Sequence, residues 1–123
     1  MNLRERILHI ADIAKERVTV PEWEGIELEV RGLTANARAK VLQRSLNGDG
    51  GLDLERLYPE LVIAATFDPD TGEQVFSDKE DRFVIGHKSS SAIERLAAAA
   101  MRLSGMRGED VARATKNSAS TPS

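Results

Sequence analysis

The sequence contains no cysteine, which excludes disulfides, thiolate catalysis and every zinc site that needs sulfur, and argues against a small secreted scaffold. Aromatic residues are scarce: one Trp, one Tyr and three Phe. The core must therefore rest on Leu, Ile, Val and Ala. Positive charge is not in excess either. With a formal net charge of −3 nothing offsets nucleic-acid phosphates, so a general nucleic-acid binder is not expected. The longest apolar runs, residues 61–65 and 96–101, fall far short of the about 18 residues a membrane span needs, and the charged start, residues 1–6, carries no apolar leader. What remains is a chain of 123 residues, a size that suits one domain burying roughly two-thirds of its unfolded surface. The expectation is a cytosolic domain over residues 1–114 and a flexible polar tail over 115–123, where the composition turns to Ser, Thr, Asn and Pro.

Periodicity organises the domain. Leu3, Ile7, Ile10, Ala11 and Ala14 recur at steps of three and four, which predicts an amphipathic helix over 3–14. The period then drops to two in residues 17–20 and 26–31, the alternation of half-buried strands, with Pro21 and Gly25 placing a turn between them. Thr34 caps a helix to about Ser45 that stops at the glycine-rich residues 47–51. A further helix is expected from Leu54 to about Phe67, starting or bending at Pro59. Residues 67–76 read as a small hairpin or tight loop around Pro69 and Gly72. Two capping boxes follow: Ser77 with Glu80 opens a short helix ending at Gly86, and Ser91 with Glu94 opens an alanine-rich one from Ala92 to about Ser104. One more helical turn is expected over 109–114. The fold class is α+β, mostly helical: an N-terminal helix, one β-hairpin, then a small bundle of about four helices.

No constellation points to catalysis, a cofactor or a metal. Residues 45–56 resemble a calcium loop only in outline, since Ser45 lacks the first carboxylate and Arg56 stands where a bidentate Glu belongs. The two histidines, His9 and His87, have no ligand-spaced partner in sequence, and structural or surface roles suit them better. Glu22, Glu24, Glu27 and Glu29 belong to a solvated hairpin face or tip that also guards the edge. Asp78, Glu80 and Asp81 belong to a helix's first turn. Gly48, Gly50 and Gly51 are not followed by the Gly-Lys-Ser/Thr of a phosphate loop. Trp23 at the hairpin tip is either tucked over the sheet or presented to a partner, with packing slightly favoured.

Residues 18–25, Val-Thr-Val-Pro-Glu-Trp-Glu-Gly, followed by an alternating strand and by Arg31-Gly-Leu-Thr34, resemble the amino-terminal region of the tail assembly chaperones of long-tailed (siphovirus-type) bacteriophages. In that family V-x-V-P-E-W-G-G is followed by a strand and R-x-L-T. Further segments match in order: the Gly/Asp-rich loop at 47–53, residues 68–72 with Val75-Phe-Ser-Asp78, a helix near 91–104 leading into Leu103-Ser-Gly105, and the ending from Lys116-Asn-Ser118. One departure is Glu24, where the family often has Gly. The resemblance implies a non-enzymatic protein of the host cytoplasm during infection. It would bind the tape measure protein, keep it soluble, help tail-tube subunits polymerise, and be absent from the mature virion. The alternative is a structural virion component, a head–tail connector or minor tail protein. The surfaces it would lend are the hairpin, through Trp23, Leu28 and Val30, and the alanine-rich helix, through Leu96, Ala100 and Leu103. The family often makes a longer frameshifted form, and Lys116-Asn117 can be encoded by the slippery run A-AAA-AAC. No nucleic acid, membrane or cofactor is implied.

Overall fold

The computed structural model describes residues 1–78 and 80–107. The helical turn expected over 109–114, the polar tail over 115–123 and the Lys116-Asn117 pair lie outside them. Among the described residues the order is α1 (Leu3–His9), β1 (Lys15–Val20), a 3-10 turn (Pro21–Trp23), β2 (Ile26–Arg31), α2 (Ala35–Arg44), α3 (Leu54–Ala65), β3 (Thr66–Phe67), α4 (Arg82–Gly86) and α5 (Ser90–Leu103). This is the α+β, mostly helical architecture the periodicity implies.

The hairpin pairs β1 with β2 antiparallel, from Lys15 opposite Arg31 to Val20 opposite Ile26. Alternation then sorts the two faces. Val18, Val20, Leu28 and Val30 point to the core, where Val20 and Val30 are fully buried. The other face carries charge pairs: Arg17 reaches Glu27 at 2.9 Å, and Arg31 reaches Glu29 at 2.7 Å. A hairpin alone is marginal; here α5 packs on it, α3 packs on α5, and α2 and α4 pack on α3. Alanines 92, 97, 99 and 100 of α5 are all buried, and such small side chains permit close approach.

Four expectations are corrected. Helix α1 ends at His9 rather than near Ala14, because Ala14 already accepts from the Gly32 amide at 2.8 Å and is drawn toward the hairpin. Helix α3 starts at Leu54, runs through Pro59 and stops at Ala65. Thr66 and Phe67 leave it to pair with Val30 and Glu29 as a third strand, with the Arg31 guanidinium 4.0 Å over the Phe67 ring. Helix α4 begins at Arg82, and the carboxylate on the Ser77 amide is that of Asp81, at 2.6 Å, rather than Glu80. Helix α5 is capped by Ser89, whose hydroxyl accepts from Ala92, rather than by Ser91. The 67–76 segment is a tight turn, closed by the Asp68 amide on Glu73 O at 2.8 Å and by a bridge between Phe67 and Gln74.

Candidate functional site

Three stretches distant in sequence converge beside the hairpin tip. The 3-10 turn and the start of β2 bring Trp23, Ile26 and Leu28. The loop after β3 brings Val75 and Phe76, and α4 brings Val84 and Ile85. Between them lies an apolar groove of about 560 Å³, open to solvent, with Glu24, Asp81 and Lys88 at its rim. Leu28 and Ile85 are buried beneath it, while Ile26 and Val84 are each 50% exposed. Trp23 is half-buried and meets Phe76 edge-on, with ring centroids 6.4 Å apart and planes at 71°. Trp23 thus packs against the core and also lines the open groove.

The hairpin tip is held in place. Glu24 follows the 3-10 turn with φ 58° and ψ 26°, the left-handed region that favours glycine. Glu22 accepts from Arg95 of α5 at 3.1 Å. Its own backbone amide, and after it Arg95, hold the Glu22 carboxyl below the usual range. Beyond the groove, Phe83 stacks on His87 at 4.3 Å between ring centroids.

A second apolar surface lies at the N-terminus. None of the side chains of α1 is buried, and Leu3, Ile7 and Leu8 are exposed, as are Ile10 and Ile13 after it. The stripe foreseen in the sequence exists over its helical part, but among the described residues nothing buries it.

Of the residues singled out beforehand, Trp23 and Leu28 come together in the groove. Val30, Leu96 and Ala100 are fully buried and offer no surface in this conformation; Leu103 is half-buried against the core. Sequence reasoning missed the opposite wall. That wall is Val75, Phe76, Val84 and Ile85, and its α4 part carried one usable signal, an apolar triplet at 83–85 in a helix too short to bury it all. The histidines are engaged locally: Nδ1 of His9 donates to Glu5 O at 2.7 Å, and Nδ1 of His87 donates to Phe83 O at 2.9 Å. The 45–56 loop satisfies itself through Asn47 Oδ1, which accepts from the amides of Asp49 and Gly51, while Arg56 donates to Leu46 O. Among the described residues no helix is long and apolar enough to cross a membrane, and no group of three or more His, Asp or Glu is placed to hold a metal ion.

No protein-family model and no curated protein matches the sequence. A solved structure does: that of the tail assembly chaperone of bacteriophage HK97, at 21% identity and a TM-score of 0.56, covering 83% of this chain and 98% of that one. The fold of this chain is therefore similar to that of a bacteriophage tail assembly chaperone.

Proposed function

We propose that this protein is a tail assembly chaperone. It binds the tape measure protein of its phage in the host cytoplasm, keeps that chain soluble, helps tail-tube subunits assemble on it, and leaves before the virion is complete. The observation that carries the reading is the likeness in fold to the HK97 chaperone over nearly all of that protein's length. The ordered motifs from Val18 to Ser118 point the same way. A chaperone of this kind needs apolar surface of its own and no catalytic group, and the Trp23 groove is such a surface. Grooves of this sort receive the apolar face of an amphipathic helix. The local hydrogen bonds of His9 and His87 suit a role without chemistry.

Co-expression with the tape measure protein of the same genome tests the reading. The expected result is a larger soluble fraction of the tape measure protein and its co-purification with this chain. Equal insolubility with and without the chain overturns the proposal. Stoichiometric retention in purified virions replaces it with the reading of a structural component.

A further inference from the structure

Helix α4 is a ridge between two depressions. The Trp23 groove lies on one flank. On the other is a smaller groove of about 270 Å³, and Ile85 and Lys88 line both. The floor of this second groove is apolar: the start of α3 brings Leu54, Tyr58 and Pro59, and the start of α5 brings Ile93. Pro59, Ile85 and Ile93 are buried beneath it, Tyr58 is half-buried, and Leu54 is 40% exposed. Small-molecule sites begin at roughly 300 Å³. The space therefore suits one large side chain, the kind of anchor that protein interfaces bury in pockets.

Gly86, the last residue of α4, lines this groove, and nothing local requires a glycine there. Its φ does not lie in the left-handed region, and a Cβ at that position would meet nothing within 4 Å outside its own turn of helix. Apart from proline, glycine is the poorest helix former. What the missing side chain does provide is access to the apolar floor. The rim is charged as well: Glu55 and Glu94 stand on it with Lys88. Among the described residues neither carboxylate has an ion-pair or hydrogen-bond partner, Lys88 included.

We propose that the groove beyond α4 seats one large apolar side chain of a partner helix that carries Lys or Arg one turn to either side of it, the cations lying against Glu55 and Glu94. On a helix, residues three or four apart share a face, so anchor and cations meet floor and rim together. The apolar anchor supplies affinity, and the two carboxylates select against acidic partners. The site stands on this groove alone. That the tape measure protein supplies such a helix rests on the function proposed above; on that reading the client gains a second point of attachment across α4 from Trp23.

The sequence has one tyrosine, Tyr58, and one tryptophan, Trp23, so each groove has its own reporter. The full chain labelled with fluorotyrosine gives a single fluorine resonance, from Tyr58. Into it is titrated a synthetic alanine-based helical peptide bearing one Phe with a Lys one turn before and one turn after it. The same peptide with Glu in place of Lys is the control. The expected result is a saturable shift of the Tyr58 resonance with the Lys peptide, unchanged Trp23 emission, and no response to the Glu peptide. Glu55→Gln combined with Glu94→Gln weakens binding about threefold to tenfold. Gly86→Leu fills the groove and weakens binding at least as much, while its Tm stays at or above that of the parent. A Tyr58 resonance that neither peptide moves overturns the proposal, as does an equal response to both peptides. A response at Trp23 in place of Tyr58 overturns it too, and a Tyr58 shift that follows the concentration of the chain rather than the peptide gives the groove to a second copy instead. No client is present, so these outcomes stand apart from success or failure of the tape measure experiment.

Discussion

Gly32 lies directly against the backbone of Leu103: a Cβ at position 32 would sit 2.6 Å from the Leu103 carbonyl oxygen. This is where the end of the hairpin meets the end of α5. The neighbouring Leu33 amide donates to Ser104 Oγ at 2.8 Å, and the Gly32 amide donates to Ala14 O. Three segments meet there, and the obstacle is backbone, which cannot swing aside. Gly32→Ala is expected to destabilise the protein by about 2–3 kcal/mol through overpacking, read as a lower urea midpoint at unchanged m-value. A variant as stable as the parent would mean that the two segments separate freely.

How much of this was legible beforehand depends on whether the cause was local. The hairpin, α2 and α5 announced themselves by period, and the Thr34 cap was readable because its hydroxyl meets the Ala37 amide within one turn. The third strand was not readable: Thr66 and Phe67 continue the apolar pattern of α3, and only pairing with Val30 and Glu29, far away in sequence, makes them a strand. The choice of Ser89 over Ser91 as cap turns on the exit angle after α4, which three consecutive serines do not encode. The groove is the extreme case, assembled from residues 23–28, 75–76 and 81–88; Trp23 could be named in advance, but its opposite wall could not.

Glu24 offers a gain. Its left-handed backbone costs an L-residue about 1–2 kcal/mol relative to glycine, part of which glycine returns through its greater freedom when unfolded. Glu24→Gly is therefore expected to raise stability by up to about 1 kcal/mol, measured by thermal or urea unfolding. A loss would show that the Glu24 side chain contributes more than its conformation costs.

Thr66 is fully buried and, among the described residues, its Oγ1 has no hydrogen-bond partner. A buried hydroxyl without a partner costs more than a methyl group of the same shape. Thr66→Val keeps β-branching in the strand and is expected to stabilise by about 1 kcal/mol. Thr66→Ala, which removes volume as well, is expected to destabilise. If valine proves costly, the hydroxyl is satisfied in solution.

The link between the hairpin tip and α5 carries a pH signature. The Glu22 carboxyl titrates below its ordinary value because its own amide and Arg95 favour the charged form. A carboxyl with a depressed folded pKa contributes stability that is present above its unfolded pKa and lost as pH falls through the folded one. The Tm gap between wild type and Glu22→Gln should accordingly be open at neutral pH and close below about pH 4. A gap that is constant from pH 7 to pH 3 would assign the effect to something other than the charge.

Stability and docking should separate within the groove itself. Trp23 is half-buried and edge-on to Phe76, so Trp23→Ala removes packing as well as surface and is expected to cost about 2 kcal/mol, less than a fully buried aromatic would. Val84, half-exposed on the facing wall, packs less: Val84→Glu is expected to change stability by about 0.5 kcal/mol at most, yet, on the function proposed above, to place a charge in the groove that would receive the client's apolar face. Circular-dichroism melts give the first quantity, and soluble yield of co-expressed tape measure protein gives the second. The expected pattern is an unchanged Tm for Val84→Glu with the soluble yield lost. A Val84→Glu variant that solubilises its client as well as wild type does would move the docking surface away from this groove, whatever Trp23→Ala does to the melt.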